Sequence, residues 1–299
     1  MGGVDEALLA LEHLRRHRRE TEDPHELTMM LYGSWYARAQ GSVSIPERFP
    51  VDLIQALRAA DATAREWDAG WVADRVAPDG RVIARRGKEV RMADRCDYVA
   101  PGAVGVLPQP GDELILAGRR DRADGGWWQT GGRAWRFTRT PPGLVRLYWS
   151  FQLGHLPELV SRVTEALAGH NRPWMLKCAT DPEVHTRADA TVLYLSWDAL
   201  EDFAPRVDSI ASALRPHARR GAPPLTLPIQ PGVAAAVDPG PEESFGEHRC
   251  RLLVEAFPSA LPDDADAALV AIDERMTAEG LSLDRPYASR ADALLPWER

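Results

Sequence analysis

Of the 36 basic residues in this 299-residue chain only two are lysines, Lys88 and Lys177; the others are arginines. A GC-rich genome accounts for the general bias, so each lysine raises the question of what arginine could not do there. Arginine stays protonated in proteins, whereas a desolvated lysine can lose its proton and become a base. Lys177 lies inside Trp174–Cys178 (WMLKC), an otherwise apolar stretch. In Leu144–Ser150 (LVRLYWS), the two-residue period of a strand puts Arg146 and Tyr148 on one face. Arg187 stands at the mouth of the apolar run Arg187–Leu195 (RADATVLYL), and Ser244–Arg249 (SFGEHR) begins a helix carrying His248 and Arg249. Two or three arginines, one lysine and a tyrosine from such elements could converge on a pocket for an anion.

Each of these residues also has an ordinary structural reading. A lone lysine in an apolar strand can snorkel from an edge. Arg249 could pin the start of its helix by hydrogen bonds, and Arg187 could pair with Asp189 or Asp181 as a surface bridge. Tyr148 fits a half-buried strand aromatic. Cys178 and Cys250 fit small core positions, and His155 fits the loop before a helix.

The elements that must position these groups follow from periodicity. Val4–Glu20 repeats leucines at helical spacing, with His13–Arg19 as a solvated face. Asp23-Pro24 caps and opens a second helix through Leu27, Met30, Leu31 and Trp35, and a third runs Val51–Trp67. From Gly70 the pattern turns to short strands. Trp71–Val76 and Arg81–Arg86 flank the hairpin turn Pro78-Asp79-Gly80, followed by Lys88–Met92, Glu113–Ala117 and Trp127–Thr130. The pair Trp127-Trp128 suits packing more than ligand stacking. After Pro141-Pro142-Gly143, strands at Leu144–Phe151, Trp174–Cys178 and Ala190–Ser196 interleave with helices at Pro157–Gly169 and Ala199–Leu214. A loop at Ala222–Gly232 leads to the apolar run Val233–Val237, and helices at Ser244–Ala256 and Ala265–Glu279 close the chain. The expectation is an α+β fold in three parts. Residues 1–68 form a helical region, 69–140 a small β-rich unit, and 141–299 a lyase-like mixed α/β sandwich.

Composition bounds the function. Hydrophobic (44%) and charged (27%) fractions are those of an ordinary globular protein, so a sizeable core can form. A net charge of −8 argues against general nucleic-acid binding, which needs a basic footprint. Cys96, Cys178 and Cys250 are far apart and odd in number, which supports neither a disulfide framework nor a zinc site. Charged residues throughout Met1–Glu20 argue against a secretion signal, and no run of eighteen apolar residues exists to span a membrane. A cytoplasmic protein is the resulting expectation. GxGxxG after a strand, GxxxxGK[ST], GxSxG and HExxH are all missing, so nucleotide hydrolysis, dinucleotide redox chemistry and zinc hydrolysis lack their usual signatures.

LVRLYWSF, WMLKCATDP, RADATVLYL and DPGPEESFGEHRCRLL resemble segments of the HopA-type effector family of plant-pathogenic bacteria, whose relatives are also encoded in class V lanthipeptide and thioamitide clusters. The resemblance spans roughly residues 65–258 and is most specific at Ser244–Cys250 (SFGEHRC). It implies a phosphoserine/phosphothreonine lyase that works beside a small kinase-like protein on a phosphorylated precursor peptide, without metal or organic cofactor. A fainter similarity to phosphothreonine lyase effectors of enteric pathogens aligns a catalytic lysine with Lys177. There Arg146 and Tyr148 stand in place of a lysine and a histidine.

β-Elimination needs a base at the α-carbon, a cationic clamp on phosphate and a proton donor for the leaving oxygen. The resemblance therefore implies Lys177 as base, Arg146, Arg187 and Arg249 as phosphate ligands, and Tyr148 as acid with His185 and His248 as rivals. A silent peptide- or kinase-binding scaffold, using the N-terminal helices and surplus tryptophans, is the alternative from another class. An effector protein is the third.

Overall fold

The computed structural model describes residues 2–38, 52–118, 121–135, 137, 140–219, 221–257 and 264–298. Helices α1 (Gly3–His17), α2 (Pro24–Leu31) and α3 (Leu53–Ala60) come first. Strands β1 (Trp67–Val76), β2 (Val82–Arg86), β3 (Glu89–Ala93), β4 (Tyr98–Val99), β5 (Glu113–Ala117), β6 (Asp121–Asp124) and β7 (Trp127–Gly131) follow. Then come β8 (Leu144–Trp149), α4 (Leu156–Leu167), β9 (Trp174–Ala179), α5 (Pro182–His185), β10 (Thr191–Ser196) and α6 (Trp197–Leu214). Strands β11 (Leu227–Gln230) and β12 (Val233–Val237) and helices α7 (Phe245–Glu255) and α8 (Ala265–Ala278) complete the fold. The strands form two antiparallel sheets, ordered β3-β2-β1-β5-β4 and β11-β12-β8-β10-β9-β7-β6, so the α+β class is as expected.

Alternation along the strands gives the larger sheet its layers. Val145, Leu147 and Trp149 of β8 face a core shared with α3, α4 and α6, together with Leu176, Cys178, Leu193 and Leu195. Tyr148, Val192 and Ala236 point the opposite way, into a second core built by α1, α2, α7 and α8. The N-terminal helices thus pack on the sheet that carries Lys177. The smaller sheet keeps its own core around Trp71, which is flanked by the guanidinium groups of Arg86 and Arg91 at 4.4 and 5.5 Å from the ring centroid.

Two boundaries differ from the sequence reading. The β6–β7 hairpin, placed by sequence in the small β unit, pairs with β9 and forms the edge of the larger sheet. Backbone pairing of this kind depends on a register that no local pattern encodes. The third helix ends at Ala60 instead of reaching Trp67, while Val51 lies outside the described residues. Asp61 stops it: its buried carboxylate accepts hydrogen bonds from the backbone and hydroxyl of Thr63 and, at 2.6 Å, from the hydroxyl of Thr130. Strand β1 then begins at Trp67.

The Asp23-Pro24 cap read from sequence is in place, and the structure adds a second at the start of α7. Asp23 accepts a bond from the Glu26 amide at 2.9 Å with Pro24 in the first turn, and Ser244 and Glu247 form a reciprocal capping box on α7. After α2 the backbone widens into a π turn, Tyr32–Tyr36, closed by the bond from the Ala37 amide to the Tyr32 carbonyl at 2.8 Å. Such turns are rare and gather at functional sites. This one stacks Tyr32 on Tyr36 with centroids 5.4 Å apart.

Gly246 is what lets α7 approach that pair. A Cβ there would lie 2.3 Å from Cε1 of Tyr36 and 2.6 Å from Cε2 of Tyr32. Gly246→Ala is therefore expected to destabilise the protein by about 1–3 kcal/mol through overpacking, against alanine's better helix propensity. Urea unfolding measures it, and unchanged or greater stability would contradict the packing account.

Candidate functional site

Lys177 is no anomaly in its strand once the faces are separated. Trp174, Leu176 and Cys178 enter the core beneath, while Met175 and Lys177 point to the other side. Strand registers extend this side into a row across six strands: Ala234, Tyr148, Val192, Lys177, Gln129 and Arg122. The adjacent row holds Ala236, Arg146, Tyr194 and Met175. Helices and the roof of Tyr32, Tyr36 and Phe245 cover the Tyr148 end. At the other end the rows form the floor of a cleft of about 240 Å³, lined by Arg122, Gln129, Lys177, Tyr194 and Arg146 and walled by the 238–244 loop.

The Lys177 ammonium is half-buried and rests 3.9 Å above the centroid of the Trp127 ring. Among the described residues no carboxylate pairs with it. Burial pushes its pKa down, Asp189 works the other way, and Arg187, Arg146 and Arg122 add to the fall. The tryptophan pair divides its labour: Trp128 is wholly in the core, while Trp127 faces the site beneath both Lys177 and Arg187.

The predicted arginines are placed differently from one another. Arg146, 8% exposed, lies in the cleft; its Nε donates to Asp238 Oδ2 at 2.6 Å, and its guanidinium sits 5.0 Å from the Tyr194 ring centroid. Burial opposes its charge, but Tyr194, Tyr148 and Asp238 overcome that and hold its pKa above the usual arginine value. Arg187 reaches the edge of the site through Trp127 and is gripped by Asp189 through bonds of 2.8 and 2.7 Å. The Tyr32 hydroxyl donates to the same carboxylate at 2.8 Å and also meets Arg187. The pairing with Asp189 raised from sequence is thus present. Arg249 is 3% exposed and does not line the cleft. It donates from Nε to the Pro286 carbonyl at 2.7 Å, meets Nδ1 of His248 through Nη1, and lies over Phe245. It fastens α7 to the segment near residue 286, and burial lowers its pKa to about 10.

The candidate acids lie outside the cleft. Tyr148 is 2% exposed behind the roof, where the Tyr36 hydroxyl donates to its oxygen at 3.2 Å. Burial raises its pKa. Burial also lowers His185 to about 4, helped by Arg219, and His248 to about 4, helped by Arg249 and Arg251. Both imidazoles are therefore neutral near pH 7, and neither lines the cleft. Sequence reasoning did not single out Arg122, Gln129, Tyr194 or Asp238. Gln129 carried a signal, standing two residues from Trp127 in a strand; Asp238 meets an arginine 92 positions earlier and carried none. Among the described residues no cluster of His, Cys, Asp and Glu fits a metal ion, and no helix is long and apolar enough to cross a membrane.

A family model described as the HopA1 effector protein family matches residues 120–288. Two solved structures share the fold. An effector protein from Pseudomonas syringae pv. tomato strain DC3000 aligns with a TM-score of 0.54 at 12% identity, covering 95% of this chain and 98% of that one. An effector protein from Pseudomonas syringae pv. syringae strain 61 aligns with a TM-score of 0.58 at 10% identity, covering 96% of each. No curated protein matches the chain.

Asp189 is the charge that most favours the protonated form of Lys177. In Asp189→Asn, Lys177 should therefore react with an acylating reagent at lower pH than in the parent, with Lys88 as internal reference in the same mass-spectrometric digest. The half-buried Arg187 left without its carboxylate should lower stability by about 1–3 kcal/mol. An unchanged labelling profile at Lys177 would refute the electrostatic account.

Proposed function

Because the chain belongs to the HopA1 effector protein family, we propose that its cleft removes phosphate by β-elimination from phosphoserine or phosphothreonine in a precursor peptide, leaving dehydroalanine or dehydrobutyrine. The observation that carries this reading is the Lys177 amine, half-buried and without a carboxylate among the described residues, in a cleft it shares with Arg122 and Arg146. The likeness of WMLKCATDP and SFGEHRC to lyase relatives supports it.

In the proposed step, neutral Lys177 Nζ takes the α-proton. The electrons of that C–H bond form the Cα–Cβ double bond, and the Cβ–O pair leaves with phosphate. Guanidinium groups near the leaving oxygens stabilise the charge that grows there. General-base action of this kind contributes about 10²–10⁴-fold. Of the two tyrosines on this face, Tyr194 lines the cleft and can protonate the departing oxygen, whereas Tyr148 is shut off from it behind Tyr36. The step as written uses no metal or organic cofactor. Phosphate must be installed beforehand, so a kinase-like protein is the proposed partner.

The test is a phosphothreonine peptide followed by mass spectrometry for a loss of about 98 Da as phosphoric acid. Lys177→Ala is expected to abolish the loss, and Lys177→Arg to leave it abolished because a guanidinium keeps its proton. kcat/KM should rise with pH to a midpoint below the ordinary lysine value of about 10.4, since the lowered pKa frees the base earlier. Tyr194→Phe should slow turnover more than Tyr148→Phe does. Undiminished turnover in Lys177→Ala would end its assignment as base.

A further inference from the structure

Resting on the elimination reading, we infer that the cleft has two poles and selects a phosphorylated residue with a basic neighbour, Arg122 taking the phosphate and Glu242 the neighbouring cation. Most of the charges around the cleft are already answered within the protein. Arg146 is bound to Asp238, and Arg187 to Asp189 by two bonds. On the opposite wall, Glu243 accepts Arg251 Nε and Nη2 at 2.8 and 3.1 Å; Glu247, outside the cleft on α7, serves that helix's capping box. Among the described residues two charged groups that line the cleft remain without an opposite charge besides Lys177 itself: Arg122 and Glu242.

Arg122 is oriented although exposed. Its Nε donates to Gln129 Oε1 at 2.9 Å, and its guanidinium lies 5.0 Å from the Phe137 ring centroid. Gln129 pairs directly with Lys177 in the strand register, so a phosphate held by Arg122 stands one strand spacing or two from the base. A dianion gains more from this unneutralised guanidinium than from Arg146, whose charge Asp238 already compensates. Glu242 is exposed on the 238–244 loop across the cleft. An ammonium or guanidinium one or two residues from the phosphoresidue can reach it, whereas an acidic side chain there is repelled.

Binding by the full-length Lys177→Ala protein, which separates recognition from turnover, tests this with four peptides. These carry threonine or phosphothreonine, each beside arginine or glutamate. The phosphothreonine–arginine peptide should bind tightest. Adding Arg122→Gln should cut the preference for phosphate by about tenfold, the worth of one charge-assisted bond, and keep the preference for arginine. Adding Glu242→Lys should invert the neighbour preference and keep that for phosphate. Equal binding of all four peptides by the Lys177→Ala protein, or preferences that neither substitution moves, overturns the two-pole reading. Loss of 98 Da by the Lys177-intact protein that is indifferent to both substitutions overturns it too, while leaving elimination standing. Selective binding without any such loss sinks elimination and leaves the recognition in place.

Discussion

A single carboxylate joins parts of the chain that are far apart in sequence. Asp189, two residues before β10, receives two bonds from Arg187 and one from the hydroxyl of Tyr32. Tyr32 belongs to the π turn that follows α2, so this contact fixes the N-terminal helices over the sheet. The same arginine leans on Trp127, whose ring supports the Lys177 amine. Backbone contacts reinforce the junction: the Ala188 amide donates to the Ala37 carbonyl at 2.9 Å, and Arg219 binds the carbonyls of His185 and Arg187. With the roof anchored there, the covered and uncovered ends of one sheet face are defined. Tyr148 falls under cover, and Lys177 falls in the open.

SFGEHRC acquires a physical meaning from this arrangement. Ser244 and Glu247 satisfy the first amides of α7. Phe245 packs against Tyr36 and Tyr148, Gly246 gives the tyrosines room, and Cys250 is wholly buried. Arg249 holds the helix to the Pro286 carbonyl. This segment positions the roof and lines the cleft only through Ser244.

What was legible in the sequence was local. The Asp23-Pro24 cap, the Pro78-Asp79-Gly80 hairpin and the faces of Leu144–Trp149 each depend on neighbours a few positions away, and all are realised. Lys177 stood out because lysine is rare in this composition and the rest of its strand is apolar. Arg122 had no such mark: among 34 arginines, on a short charged strand, it looks like ordinary surface. Its position depends on β6 pairing with β7 and β7 with β9, a register set by tertiary packing. The same limit explains Arg249. Burial decides whether an arginine greets a ligand or fastens a helix, and burial is a property of the assembled layers.

The row from Ala234 to Arg122 has a kinetic side. Its members come from six strands whose spatial order departs from chain order, and the roof adds Tyr32 and Tyr36 from the first third, with Tyr32 meeting Asp189 across 157 positions. Closing loops of that span costs entropy before any contact repays it, which makes folds rich in distant pairings slow to form. The pocket is complete only when the most distant of these pairings have closed. A nascent or partly unravelled copy, even one with β9 intact, holds a lysine that is merely wet and charged.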